Sequence, residues 1–343
     1  MFALMHATRT QSLHLWQDPD TGLRAVAAIH SEQLGPAMGG CRYLPYADDE
    51  AAITDALHLA QAMSYKAALA GLPVGGGKAV ILRNAQVEDR AAMFEAFGRF
   101  IESLRGRLVI AVDSGTSLAD MDCIARSTAH VSSTSVTGDP SPFAAQGVFA
   151  GLRATAHARL GSSNLEGLRV AVQGLGNVGY ALAEQLHAAG AELLVSDLDA
   201  DRVRRAVEQL NAWPVAHDAL LSTPCDLFVP CGVGPVLNAQ SVMQLRCAAV
   251  AGSANNPLTT LQVADQLQGR GILYAPDTII NAGSLIYAAL THHGETAGTI
   301  GAHLSRIPAR LTEVFAHAQA ENRSPARVAL MLAERMLYGE TGT

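Results

Sequence analysis

The stretch from Leu168 to Gly179 limits what this chain can fold into more than any other. A β-prone apolar run, Leu168-Arg169-Val170-Ala171-Val172-Gln173, leads without a break into Gly174-Leu175-Gly176-Asn177-Val178-Gly179, and a helix-compatible segment follows to Ala189. A strand that turns on glycine straight into a helix opens a βαβ unit. The alternation continues, with strands at 192–196, 227–230, 248–251 and 272–274 and a helix at 201–210. That pattern implies a doubly wound parallel sheet. In such a turn Gly174 makes the bend, Gly176 lets backbone meet a diphosphate, and Gly179 lets the helix lie close on the strand. The anion rests on the helix N-terminus, whose first turn holds Asn177 and Val178. Asp197 follows Gly179 by 18 residues at the end of the second strand. A carboxylate there accepts from a ribose 2′-hydroxyl and repels a 2′-phosphate, which favours NAD over NADP. Asp199 is the alternative. Cys231 and Gly232 end a later strand and border the cofactor. With no basic partner nearby in sequence, Cys231 reads as a small buried hydrophobe rather than a nucleophile.

The earlier part of the chain carries a pair of lysines twelve residues apart, Lys66 and Lys78. Asp48 and Asp49 offer an N-cap, and Ile53, Leu57, Ala60, Met63 and Ala67 recur at helical spacing until Gly71 and Pro73 stop the helix. Lys66 therefore lies on its last turns. Gly75-Gly76-Gly77 precede Lys78, which the pattern places in the following loop. Glycines in a row imply positive φ or a close backbone approach. Gly35, Pro36, Gly39 and Gly40 likewise read as a loop after a strand at 23–30. A second amphipathic helix is expected over 89–104. The run 108–112 reads as a strand ending at Asp113, ahead of Ser114-Gly115-Thr116. A polar stretch, 132–142, reads as the junction between domains, and a helix from Ala144 to Leu160 opens the second.

The 343 residues suffice for two domains, and 49% hydrophobic against 16% charged residues allows sizeable cores. The net charge of −7 without a basic block argues against nucleic acid or an anionic membrane as partner. Five cysteines without a C-x-x-C pair read as reduced thiols in the cytoplasm. The N-terminal residues lack a signal-peptide pattern, and no run approaches the ~20 apolar residues of a membrane span.

Seven motifs now stand in order: Gly35-Pro36-Ala37-Met38-Gly39-Gly40, Met63-Ser64-Tyr65-Lys66, Gly75-Gly76-Gly77-Lys78, Asp113-Ser114-Gly115-Thr116, the 173–179 turn, Ala251-Gly252-Ser253-Ala254-Asn255-Asn256, and Tyr274-Ala275-Pro276-Asp277 with Asn281-Ala282-Gly283. Over roughly residues 20–340 the chain resembles the glutamate/leucine/phenylalanine/valine dehydrogenases, most closely the leucine-acting members. The resemblance implies an enzyme acting on a CH–NH2 group: reversible, NAD-dependent oxidative deamination of an L-amino acid to a 2-oxo acid and ammonia. It implies an N-terminal α/β substrate and oligomerisation domain over 1–132, a Rossmann NAD domain over 133–320, a cleft between them, and a C-terminal helix over 321–343 packing back on the first domain. Lys66 resembles the lysine that holds the substrate α-carboxylate, Lys78 the catalytic lysine that activates water, and Asp113 the acid that handles protons at the amino group. The backbone of Gly39 and Gly40 and the side chain of Asn255 resemble substrate contacts, with Asn255 and Asn281 also bordering the cofactor. No metal is implied, and relatives are commonly homo-oligomers. A lysine in a closed site beside another cation is expected to lose its proton more readily, because desolvation and a like charge both disfavour the ammonium form.

Glutamate-specific relatives carry a lysine where this chain has Met38. The resemblance adds Ala111, Leu285 and Ala288 to the side-chain pocket, and all four are apolar. Branched aliphatic substrates are expected, with aromatic ones the alternative because Ala111 and Ala288 leave room. Tyr287 and Ser284 sit where relatives differ. One departure stands out. Where relatives usually have a threonine that bonds the nicotinamide amide, in a Ser-Pro-x-Thr run, this chain has Ser141-Pro142-Phe143-Ala144. A homologue that binds NAD or an amino acid as a sensor is the reading this departure motivates. A 2-hydroxy-acid dehydrogenase would need a His–acid pair, and the histidines are scattered. His292-His293 reads as a surface pair at a helix end.

Overall fold

The computed structural model describes residues 1–84 and 87–339. They form two compact units, one of residues 1–140, 285–300 and 333–339, the other of 141–284 and 301–332. The division at 140/141 falls inside the junction expected at 132–142, later than the 132/133 boundary. The segment 321–343 divides at 332/333, and its last four residues lie outside the described ones.

The first unit begins with α1 (Phe2–Ala7), β1 (Ser12–Asp18), β2 (Leu23–Ser31), β3 (Ala37–Leu44), α2 (Asp49–Ala70), β4 (Gly75–Leu82), α3 (Arg90–Ser103), β5 (Leu108–Val112) and α4 (Leu118–Ala125). The sheet order is β1-β2-β4-β3-β5. β1, β2 and β4 run antiparallel, and β4, β3 and β5 parallel. Met93, Phe94, Phe97 and Ile101 of α3 are buried against one face with Ile29, Ile81 and Ile110, while Ile53, Ala56, Leu57 and Ala60 of α2 bury with Val26 and Val80 on the other. Asp48 caps α2 by accepting from Ala51 N at 2.8 Å, and Gly71 closes it at φ +65°.

Two expectations are corrected here. Gly39 and Gly40 lie within strand β3, and Gly75, Gly76, Gly77 and Lys78 lie within strand β4, not in loops. None of these five glycines has positive φ. They are glycines because neighbouring backbone presses on them. A Cβ at Gly76 would lie 2.1 Å from Ser64 N of α2, and one at Gly75 would lie 2.0 Å from the Ser31 carbonyl oxygen. The bare strand lets α2 sit closer to the sheet than any side chain would permit. Gly76→Ala is therefore expected to destabilise the protein by about 1–3 kcal/mol through overpacking, read as a lowered midpoint of thermal unfolding.

The second unit contains α5 (Ser141–Leu160), β6 (Arg169–Gln173), α6 (Asn177–Ala188), β7 (Glu192–Ser196), α7 (Ala200–Leu210), β8 (Trp213–Pro214), β9 (Leu227–Pro230), α8 (Ala239–Gln244), β10 (Ala249–Val250), α9 (Leu261–Gly269), β11 (Leu273–Tyr274) and α10 (Asp277–Ile280). Its strands pair in parallel in the order β11-β10-β9-β6-β7-β8. The unit's first strand in sequence, β6, is central, and the order reverses beside it between β6 and β9, as in a dinucleotide-binding Rossmann sheet. α11 (Gly283–His292), α12 (Ala297–Leu304), α13 (Arg306–Glu321) and α14 (Pro325–Tyr338) complete the chain. The end of α14 docks on the first unit, where the Tyr338 hydroxyl lies 3.3 Å from His30 Nε2 and Tyr65 donates to Glu334 at 3.3 Å. No helix among the described residues is long and apolar enough to cross a membrane.

Candidate active site

In the first unit the sheet order puts β3 between β4, which carries Lys78, and β5, which runs into Asp113. The two side chains meet only by crossing β3. They cross it at Gly39-Gly40, where no side chain intervenes. A Cβ at Gly40 would lie 2.6 Å from Asp113 Cβ, and one at Gly39 would lie 1.8 Å from the Gly77 carbonyl oxygen. Lys78 Nζ donates to Asp113 Oδ2 across this gap. The other carboxylate oxygen, Oδ1, accepts from Ser114 N at 2.7 Å and from Ser114 Oγ at 3.3 Å. Thr116 Oγ1 accepts from Asp113 N at 2.9 Å and donates to the Cys41 carbonyl at 3.1 Å, which pins the turn after β5 to β3.

Lys78 is 3% exposed and Lys66 6% exposed, so neither is a solvated surface lysine. Burial lowers the Lys78 pKa from the ordinary lysine value and the Arg42 charge lowers it further, while Asp113 opposes both. The like charge acting on it is thus Arg42, a residue the sequence reading did not single out. Burial alone would raise the Asp113 carboxyl. The charges of Lys78 and Arg42, with the bonds from Lys78 and Ser114, outweigh burial and hold it well below the usual carboxylate range.

Arg42 follows the glycine pair on β3 and is itself buried. Its Nε lies 3.4 Å from Asp113 Oδ2, and its Nη1 reaches both oxygens of Asp55 on α2 at 3.3 and 3.1 Å. The Tyr46 hydroxyl donates to Asp55 Oδ2 at 2.6 Å. The available signal was an arginine inside an otherwise apolar strand.

The expected pocket residues Met38, Ala111, Leu285 and Ala288 all belong to the first unit and all are buried. Met38 pairs in register with Gly76 and Val109, and Gly40 with Ala111. Ser132 ties α11 to the β5 edge: its backbone N–H donates to the Ile110 carbonyl at 2.7 Å, and its Oγ donates to the Ala288 carbonyl at 3.1 Å. Tyr287 donates to the Thr137 carbonyl.

The second unit holds the remaining candidates. Gly174 has φ +94°, and a Cβ at Gly179 would lie 2.1 Å from the Gly174 carbonyl oxygen, so the turn and the helix contact both require glycine. At Gly176 the nearest atom to a Cβ would be Arg202 Nη1 at 3.9 Å, leaving the backbone there open. Gly176 N-caps α6 without a side-chain bond to the first-turn N–H groups of Asn177, Val178 and Gly179. Open backbone and uncapped donors fit a diphosphate. Asp197 accepts from Leu175 N at 2.6 Å and from Asp199 N at 2.8 Å, so the acid also holds the turn. Arg202 lies 3.7 Å from Asp197 and 3.4 Å from Asp199, another partner the sequence reading missed. Asp199 itself caps α7. Cys231 lies against Gly179, and burial pushes its thiol up, which suits a packing role. The backbone of neighbouring Gly232 packs against Gly174, the bend of the turn. Asn281 donates to the Ser253 and Ala254 carbonyls at 3.2 and 3.1 Å and to Asn255 Oδ1 at 3.0 Å. Its own Oδ1 is buried without a partner, as is Gln173 Oε1 at the end of β6. Buried acceptors without donors at the carboxyl end of the sheet suit a ligand amide. Lys66, Lys78 and Asp113 thus belong to one unit, and the glycine turn, Asp197, Asn255 and Asn281 to the other.

A Rossmann sheet with an open glycine turn, together with an α/β unit in which a buried lysine pairs with an aspartate, defines a dinucleotide-dependent oxidoreductase. Residues 9–130 match the Glu/Leu/Phe/Val dehydrogenase dimerisation domain, and residues 198–334 match the Glutamate/Leucine/Phenylalanine/Valine dehydrogenase domain. Leucine dehydrogenase of Geobacillus stearothermophilus is 42% identical over 326 residues, covering 94% of this chain and 89% of that one. Phenylalanine dehydrogenase of Bacillus thermotolerans is 40% identical over 329 residues, covering 93% and 86%. The crystal structure of L-tryptophan dehydrogenase from Nostoc punctiforme superposes with a TM-score of 0.80 at 35% identity, covering 98% of each chain. The chain belongs to the glutamate/leucine/phenylalanine/valine dehydrogenase family.

Proposed function

We propose that this protein oxidatively deaminates apolar L-amino acids, with leucine, isoleucine and valine preferred and NAD as hydride acceptor. The carrying observation is the pairing of buried Lys78 with Asp113 in the unit whose pocket candidates, Met38, Ala111, Leu285 and Ala288, are all apolar and buried. In this reading Lys66 holds the substrate α-carboxylate, with the Gly39-Gly40 backbone and Asn255 as further contacts. Asp113 takes protons from and returns them to the substrate nitrogen. NAD, when bound, supplies a hydride acceptor for the α-hydrogen. Lys78, uncharged, takes a proton from the water that attacks the imine carbon, so that ammonia can leave. The Gly174–Gly179 turn would hold the diphosphate, Asp197 the ribose, and Asn281, with Cys231 and Gly232 at the border, the nicotinamide end.

A second reading, aromatic substrates, is favoured by the small side chains of Ala111 and Ala288 and by relatives named for phenylalanine and tryptophan. The difference is a few methylenes in an apolar site, worth ~1–3 kcal/mol. Turnover of a panel of L-amino acids with NAD, followed by NADH absorbance at alkaline pH, tests both. Leucine, isoleucine and valine are expected to lead. Phenylalanine or tryptophan leading would replace the first reading by the second, and NADH with none of them would favour the sensor. The retained Lys66, Lys78 and Asp113 weigh against the sensor, despite Ala144.

The preference for NAD rests on Asp197. Asp197→Ala is expected to narrow the NAD-over-NADP ratio of kcat/KM by roughly ten- to a hundredfold, the worth of a charge-assisted hydrogen bond. An unchanged ratio would show that another group reads the ribose. A homo-oligomer is supported by the family's dimerisation domain over 9–130 and by the edge strand β1, where Leu15 and Trp16 are exposed. Five free cysteines support a cytoplasmic setting.

A further inference from the structure

The acid–base pair does not stand alone. Arg42 spans two carboxylates: Nε lies 3.4 Å from Asp113 Oδ2, and Nη1 lies 3.1 and 3.3 Å from the Asp55 oxygens. Asp113 Oδ2 is the same oxygen that receives Lys78 Nζ. A lysine acting as a base must spend part of each cycle uncharged. During that time Asp113 would be a largely desolvated anion without its ammonium partner, a costly state. A guanidinium does not deprotonate. We propose that Arg42, clamped by Asp55, which Tyr46 holds in turn, is a positioning residue that keeps Asp113 ionised and in place while Lys78 gives up its proton. This rests on the assignment of Lys78 as the base.

The charges around Lys78 fix the sign of each effect. From β3 come Arg42 and the Cys41 thiol, from the turn after β5 comes Asp113, from α2 comes Asp55, and on Asp55, from the segment between β3 and α2, comes Tyr46. Burial pushes the Cys41 thiol and the Tyr46 hydroxyl up, so both stay neutral in the working range. Arg42, Lys78, Asp55 and Asp113 sum to zero with Lys78 charged. Removing Arg42 strips a like charge from Lys78 and makes its ammonium form harder to discharge. Removing the Asp55 charge does the reverse.

The test is the pH dependence of kcat/KM for leucine with NAD, in the wild type and three variants. Arg42→Met is expected to move the limb governed by Lys78 upward by about one pH unit, Asp55→Asn to move it downward, and Arg42→Lys to restore most of the Arg42→Met shift. A merely structural role would lower activity in all three without opposite shifts. Acetic anhydride labelling of Lys78 against pH, read by peptide mass spectrometry, follows the same proton without turnover. It reports on Arg42 even if Lys78 proves not to be the base. Should Arg42→Met fail to fold, Asp55→Asn and Arg42→Lys carry the test. A labelling midpoint that stays at the wild-type value in Asp55→Asn, or moves the same way in Arg42→Met and Asp55→Asn, overturns the proposal.

Discussion

Lys78→Ala is expected to lower kcat/KM for leucine by roughly 10²–10⁴-fold, the usual contribution of a positioned acid–base group. NAD affinity should be unchanged, because the glycine turn and Asp197 belong to the other unit. This separation distinguishes lost chemistry from lost folding. The wild-type pH profile should carry the same signature. Burial and Arg42 lower the Lys78 pKa, so the uncharged lysine is present below the ordinary lysine value. Activity should therefore rise with pH as Lys78 loses its proton, with a midpoint below the ordinary lysine value. Steady-state kinetics paired with NAD titration by fluorescence check both points. A fully active Lys78→Ala would remove Lys78 from the reaction.

Glutamate is expected to be a very poor substrate, with kcat/KM at least about a thousandfold below leucine. Its side-chain carboxylate would have to be desolvated among Met38, Ala111, Leu285 and Ala288 without a partner, at a cost of several kcal/mol. Met38 is 1% exposed and pairs with Gly76 on β4, the strand that carries Lys78. Met38→Lys would offer the missing cation. It should raise the glutamate-over-leucine ratio by roughly ten- to a hundredfold, the range of a charge-assisted hydrogen bond. If Met38→Lys leaves the ratio untouched, position 38 does not face the substrate side chain.

The second unit is the more legible in sequence. Its strands are short apolar runs, its helices alternate with them, and the bend at Gly174 is dictated by local chemistry that needs no knowledge of the rest of the chain. The first unit is harder to read. Gly39-Gly40 and Gly75-Gly76-Gly77 look like loops because glycine is depleted in strands. What makes them strands is distant, with α2 pressing on Gly76 through Ser64 and Asp113 filling the space above Gly40. Lys78 and Asp113 stand out by their motifs, and their partnership follows from the sheet order that a linear reading does not contain. Arg42 escapes notice for the same reason. Asp113 lies 71 residues away in sequence, and only the β4-β3-β5 order brings them together.

The measurement closest to the central claim follows the α-hydrogen itself. Incubation with NAD and L-leucine deuterated at Cα should give deuterated NADH, 2-oxo acid and ammonia in equal amounts. Reduced cofactor without deuterium, or none with any apolar L-amino acid while NAD still binds, would contradict the account.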